Sequence, residues 1–189
     1  VAAGGQGAPL VPAFHAACFG RPQQRVGVLN IGGIANISIV APDAEVRGFD
    51  TGPGNVLMDL WVHKRRGWSF DRDGIWAGQG LVDANLLARL LDEPYLRMPA
   101  PKSTGRDLFN EDWLAARLGG AAAIPDADVL ATLAELTAVS AASAAREAAL
   151  ACLLVCGGGA FNAHLMRRLQ THLPGITVAS TASQGVPPD

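Results

Sequence analysis

Two short apolar runs, Val26-Gly27-Val28-Leu29-Asn30-Ile31 and Cys152-Leu153-Leu154-Val155-Cys156, each stop at a cluster of glycines, Gly32-Gly33 and Gly157-Gly158-Gly159. An apolar run of that length bounded by glycine reads as a strand buried on both faces, which requires a sheet covered by other layers. After the first run, residues 35–40 alternate apolar and polar, so the two segments form a hairpin around a glycine turn. Pro42-Asp43-Ala44 makes the next turn and residues 46–49 a third strand, completing a meander. After the second run, residues 162–173 read as a helix ended by Pro174-Gly175, and residues 177–181 as a closing strand.

A helical block lies between these two units. Asn55 is placed to cap a helix over residues 55–66, with Leu57, Leu60 and Trp61 on one face. Residues 81–92 are amphipathic (Leu81, Asn85, Leu86, Leu90), Pro94 ends them, and residues 110–118 form a smaller helix. Residues 126–149 carry the strongest helical pattern, with Leu130, Leu133, Ala134, Thr137 and Ala141 at the 3.6 period. A further short helix is expected over residues 12–19. Meander, helices, then β-α-β is an α/β fold, read as one domain over residues 1–189.

Composition narrows the function. Of 189 residues, 49% are hydrophobic and 17% charged, the balance of a globular chain. With 15 Lys+Arg against 17 Asp+Glu there is no basic field for nucleic acid. No apolar run approaches the ~20 residues of a membrane-spanning helix. The three cysteines argue against a disulfide framework, and a reducing cytoplasm fits better. The chain starts without Met inside a glycine-rich loop, and residues 185–189 follow a strand where such a fold adds another helix; a fragment is expected.

Three constellations can carry chemistry. In the turn over residues 30–36, Gly32 and Gly33 let backbone N–H groups approach an anion with no Cβ in the way, flanked by Asn30 and Asn36; an ordinary hairpin turn would use the same glycines. In Gly48-Phe49-Asp50-Thr51-Gly52-Pro53-Gly54-Asn55, an aspartate at the end of a strand points into the crevice where α/β sheets bind ligands. Asp50 is therefore a candidate general base, with Asn55 supplying the helix cap and leaving Asp50 and Thr51 free. In Cys156 to Asn162, a buried strand, a glycine loop and a helix start form a nucleotide site. The Gly-x-Gly-x-x-Gly spacing of a dinucleotide fold is missing, so an NAD-dependent oxidoreductase is disfavoured. Lys102-Ser103-Thr104 lacks the leading glycines of a Walker loop, Asp71-Arg72-Asp73-Gly74 lacks most ligands of a calcium loop, and histidines and cysteines show no zinc spacing.

Taken in this order, these constellations resemble the anhydro-N-acetylmuramic acid kinase family. The resemblance rests on Gly4-Gly5-Gln6-Gly7-Ala8-Pro9-Leu10-Val11-Pro12, residues 30–38, residues 48–55 with Met58-Asp59, residues 101–106 and residues 156–162, nearly the whole chain. It implies the actin-like ATPase fold shared by sugar kinases and heat-shock 70 chaperones, two RNase-H-like lobes with ATP between them, this chain being the second lobe. It implies water-assisted opening of a 1,6-anhydro sugar and phosphorylation of its 6-oxygen from ATP with Mg²⁺. Asp50 would activate water; Asn30, Gly32, Gly33 and Asn36 would hold phosphate; Gly157, Gly158, Gly159 and Asn162 would hold adenosine. Gln6, Gly7, Thr51 and Gly52 would border the sugar. Lys102 and Arg106 gain no role beyond a polar contact near the cleft.

The family's first phosphate loop, Gly-Thr-Ser-x-Asp-Gly, is absent, as are its Gly-Asp-Phe-Arg stretch and the acidic residue expected soon after Asp189. One lobe cannot clamp both ends of a triphosphate, so the isolated chain is expected to be inactive. The rival readings are another sugar or acetate kinase of the same superfamily and a non-catalytic nucleotide-binding remnant lobe. The helical block offers a face on which two copies could pair.

Overall fold

The computed structural model describes residues 24–42, 44–119 and 124–188. The helix expected over residues 12–19 and the sugar-site residues Gln6 and Gly7 lie outside them. Five strands form one sheet: β1 (Val26–Ile31), β2 (Ile34–Val40), β3 (Arg47–Pro53), β4 (Cys152–Cys156) and β5 (Thr177–Ser180), in the order β3-β2-β1-β4-β5. The first three pair antiparallel, as the meander requires, while β4 pairs parallel to β1 and β5 parallel to β4. Parallel neighbours need long crossovers. Helices α1 (Val56–Arg66), α2 (Ala84–Leu91), α3 (Pro94–Arg97), α4 (Glu111–Leu118) and α5 (Asp126–Glu147) fill the connection from β3 to β4, and α6 (Ala163–His172) the one from β4 to β5.

The central strands bury both faces, which is why they read as unbroken apolar runs. Leu29 and Ile31 on β1, with Leu153 and Val155 on β4, point into the large core with α1, α5 and α6. Val26 and Val28 pack with Cys152 and Leu154 on the opposite face, so the cysteines of β4 are packing residues there. Helix α5 presses Leu130, Leu133, Ala134, Ala138, Ala141 and Ala145 into the large core, its alanines allowing a close approach. By length and composition α5 is one helix that could cross a membrane, which the expectation of no such run had missed. Most of it is buried inside this fold, as befits a core helix.

Several boundaries differ from expectation for local reasons. Strand β3 does not end at residue 49 but continues through Asp50, Thr51, Gly52 and Pro53: Asn36 pairs with Asp50, Ala35 with Gly52 and Ile34 with Pro53 across a register shift at Ala35/Asn36. Gly and Pro are tolerated because β3 is an edge strand. Helix α2 starts at Ala84, not residue 81, because the Asp83 carboxylate accepts from the Leu86 N–H, leaving Leu81 77% exposed outside it. Pro94 opens the short helix α3 rather than merely ending α2, with Glu93 as its cap.

Buried carboxylates tie the layers together. Glu93 accepts from Trp113 Nε1 (2.7 Å) and pairs with Arg117 (2.8 Å), beside the edge-to-face rings of Tyr95, Phe109 and Trp113. Glu135 on α5 receives two bonds from Arg168 on α6 (2.6 and 2.7 Å) and lies 2.7 Å from His172 Nε2. Burial pushes the Glu135 carboxyl up, but the bonds from Arg168 and His172 outweigh it and hold the group below its ordinary value. Glu135→Ala leaves Arg168 and His172 without the buried carboxylate they share at the α5–α6 interface, so urea unfolding should show a loss of about 2–3 kcal/mol. A loss under about 1 kcal/mol would mean that the network adds nothing beyond surface pairing.

Candidate active site

The glycine turn between β1 and β2 rests on the start of α1. Gly54 N–H donates to the Gly33 carbonyl (2.9 Å), Asn55 N–H to the Gly32 carbonyl (2.8 Å) and Val56 N–H to the Gly33 carbonyl (3.1 Å). These are N–H groups that a helix cannot satisfy internally. Asn55 was expected to cap α1 with its side chain; instead its Nδ2 donates to the Ile31 carbonyl (3.2 Å), and no side-chain cap forms. A Cβ at Gly54 would collide with the Gly32 carbonyl, so the contact demands glycine. The carbonyls of Gly32 and Gly33 are thus both engaged by residues 54–56. The space over Gly32 is open, the nearest atom to an added Cβ being Ile34 O at 3.8 Å.

Asp50 stands next to this turn, paired with Asn36, and is not the free loop residue that the sequence suggested. Its backbone N–H donates to the Lys102 carbonyl (3.0 Å), and its own carbonyl accepts from Tyr95 OH (2.9 Å). Carboxylate oxygen Oδ2 accepts from Ser103 Oγ and Thr104 N–H, both at 2.9 Å. Oδ1 makes no hydrogen bond within the described residues. One oxygen is thus fixed and the other left open, the arrangement a positioned base needs. Thr51 and Gly52 face the other way. Thr51 is 2% exposed and donates to the Ala35 carbonyl (3.2 Å), while Gly52 packs against Leu96 and Ser140.

The second glycine loop closes the group. Gly157 has φ +76°, and a Cβ there would strike Asn30 Oδ1, so the side chain of Asn30 and the loop need each other's shape. Gly159 packs on Ile31, and Asn162 caps α6 by accepting from Leu165 N–H (2.9 Å). Since β1 and β4 run parallel and Asn30 pairs with both Asn36 and Cys156, the turn, Asp50 and the Gly157 loop all lie at the carboxyl ends of β1 and β4. Beside them opens a cavity of about 480 Å³ lined by Asn55, Met58, Asp59, Phe70, Phe161 and Asn162, among others. Two aromatic rings beside a helix cap and a glycine loop suit a flat heterocycle attached to an anionic chain.

The family model described as anhydro-N-acetylmuramic acid kinase matches residues 1–189. The chain belongs to that family. It is 55% identical over 190 residues to the anhydro-N-acetylmuramic acid kinase of Pseudomonas paraeruginosa and 56% identical over 195 residues to that of Variovorax paradoxus. All of this chain is covered in both matches, against 52% of each relative, so it spans about half the length of the curated relatives it matches. Among solved structures, the activator of the 2-hydroxyisocaproyl-CoA dehydratase from Clostridium difficile, with bound ADPNP, is similar at TM-score 0.54 and 14% identity, covering 85% of this chain and 55% of that one. At that identity the likeness is one of fold alone.

Within that family frame, the structure also places residues that the sequence reading left without a role. Lys102 turns away from the turn. Its Nζ donates to the Tyr95 and Leu96 carbonyls (3.1 and 3.0 Å) and lies over the Tyr95 ring, and burial lowers its pKa while Glu147 opposes. Asp71 accepts from Trp76 and Ala77 N–H, and Arg72–Gly74 forms one 3₁₀ turn after it, so both oxygens of the Asp71 carboxylate are engaged by the backbone. Asp59, Phe70 and Phe161 line the cavity. No spacing rule could have gathered them, because α1, the 68–76 loop and the Gly157 loop meet only in the fold.

Burial pushes the Asp59 carboxyl up to about 6, partly opposed by Arg106. The folded chain therefore keeps this proton where the unfolded chain, with the ordinary value of 3.8, releases it. Between those values stability falls as pH rises, and the lower level persists above. Asp59→Asn removes the effect, so relative to wild type the variant should gain about 1 kcal/mol between pH 4 and pH 7, allowing for solvent at a half-buried group. Urea unfolding of both proteins across that range checks it; a pH-independent difference contradicts it.

Proposed function

We propose that this chain is the second lobe of an ATP-dependent sugar kinase. The enzyme opens 1,6-anhydro-N-acetylmuramic acid with water and phosphorylates its 6-oxygen, giving N-acetylmuramic acid 6-phosphate in cytoplasmic recycling of cell-wall sugar. The observation that carries the reading is the open Oδ1 of Asp50, held beside the Gly32-Gly33 turn in a chain that the kinase family matches end to end.

In this reading Asp50 Oδ1 accepts a proton from water as the water oxygen bonds to the anomeric carbon. The bond from that carbon to O6 breaks, O6 bonds to the γ-phosphorus, and the bond to the β,γ-bridging oxygen breaks to release ADP; the proton on Asp50 passes to solvent. Ser103 and Thr104 keep the carboxylate aimed by holding Oδ2. The N–H side of the Gly32-Gly33 turn, flanked by Asn30 and Asn36, receives phosphate oxygens, and Gly157, Gly158, Gly159 and Asn162 with the neighbouring cavity receive the adenosine. Among the described residues no three His, Cys, Asp or Glu side chains converge. Mg²⁺ would be held largely by substrate phosphates and water and would neutralise their charge. The sugar and the other side of the nucleotide fall to the partner lobe, with Gln6 and Gly7 at the boundary, so the 189 residues alone bind nucleotide without turnover. The α2–α4 block is the face on which two copies would pair.

The test is Asp50→Asn in the two-lobed enzyme. Sugar phosphorylation, followed by product identification, should fall by roughly 10²–10⁴-fold with nucleotide affinity preserved. Full turnover in the variant, or phosphorylation of acetate in place of the anhydro sugar, would sink the reading.

A further inference from the structure

Among the described residues, Arg106 has no hydrogen-bond or ion-pair partner that accounts for its position. Its guanidinium lies across the glycine turn: a Cβ at Gly33 would meet Nη2 at 3.3 Å and Nε at 3.4 Å. It is exposed and makes no hydrogen bond or ion pair within the described residues. Asp59 feels its charge without bonding to it. Its backbone, meanwhile, is anchored on both sides. Upstream, Lys102, Ser103 and Thr104 are the residues that hold Asp50. Downstream, Leu108 and Phe109 N–H both donate to the Gly105 carbonyl, and Phe109 is fully buried in the core. An arginine whose flanking backbone is anchored, and whose guanidinium lies beside the Gly32-Gly33 turn with no bonded partner among the described residues, is placed for an anion brought by a ligand.

We propose that Arg106 contacts the γ-phosphoryl group of the bound nucleotide and stabilises its charge during transfer, which rests on the kinase reading above. The assignment to the γ rather than the α group follows from position. The segment that carries Arg106 also aims Asp50, where the acceptor sugar must sit, whereas the adenosine cavity opens at Gly158 and Asn162. During transfer the guanidinium donates to the equatorial oxygens while the bond to the leaving ADP oxygen breaks and that to O6 forms, and Arg106 itself neither gains nor loses a proton.

The experiment measures ATP and ADP affinity by calorimetry, and sugar turnover, in the two-lobed enzyme and its Arg106→Ala and Arg106→Lys variants. Arg106→Ala should lower kcat by about 10²-fold or more while changing the KM for sugar less than about threefold. It should also cut the preference for ATP over ADP by about tenfold, and Arg106→Lys should recover part of both. An unchanged ATP-to-ADP ratio, or a loss equal for both nucleotides, overturns the assignment. If Arg106 only offsets the Asp59 charge, adding Asp59→Asn to Arg106→Ala restores activity, and that rescue also overturns it. Should the wild-type protein bind nucleotide but leave the anhydro sugar unphosphorylated, the kinase reading fails, while the affinity ratio still decides the role of Arg106.

Discussion

Much of the site depends on three backbone hydrogen bonds between the start of α1 and the turn of the first hairpin. Helix starts carry unpaired N–H groups, and hairpin turns carry unpaired carbonyls. Here residues 54–56 donate to the carbonyls of Gly32 and Gly33, so each deficit satisfies the other. Burying either alone would cost the chain the desolvation of several polar groups. The contact also has a direction: it engages the carbonyls of the turn, and in the proposed function the phosphate contacts fall to its N–H groups. Gly54 makes it possible by lacking a Cβ, and Asn55 secures it by bonding Ile31 at the end of β1.

Around that contact, the helical block between β3 and β4 works as a scaffold for Asp50. Glu93 joins α3 to α4 through Trp113 and Arg117, Phe109 and Tyr95 meet edge to face beside it, and Tyr95 reaches the Asp50 carbonyl. The 102–104 segment then meets the edge strand β3 through one backbone hydrogen bond, Asp50 N–H to the Lys102 carbonyl, and ends on Oδ2 of the carboxylate. Asp50 is thus held by backbone and side chain together, which is the rigidity that a catalytic carboxylate requires.

How much of this the sequence discloses follows from the range of each interaction. Strands β1 and β4 are legible because their burial on both faces leaves an unbroken apolar signature, and their ends are legible because Gly32 and Gly157 interrupt it. Strand β3 is only half legible: Gly52 and Pro53 look like breakers, and nothing local says that they lie at an edge where pairing tolerates them. Asn55 looks like a cap by every local rule, yet its partner Ile31 lies 24 positions away. Pro94 serves equally well as an ending and as a beginning, and Glu93 decides it by capping α3. The grouping of Asn30, Asp50, Gly157 and Asn162 was readable from the glycine loops and the family resemblance. Arg106 and Asp59 were not, because what gives them meaning is proximity to Gly33 and to each other across three elements.

The central claim is that two glycine loops separated by more than a hundred residues act together as one nucleotide site. Hydrogen–deuterium exchange of the 189-residue chain, with and without a non-hydrolysable ATP analogue and Mg²⁺, tests it directly. The account predicts slowed exchange in the same titration at residues 31–36 and at residues 157–162, with the exposed 81–83 segment unchanged. Protection confined to one loop, or absent from both at saturating nucleotide, would contradict it.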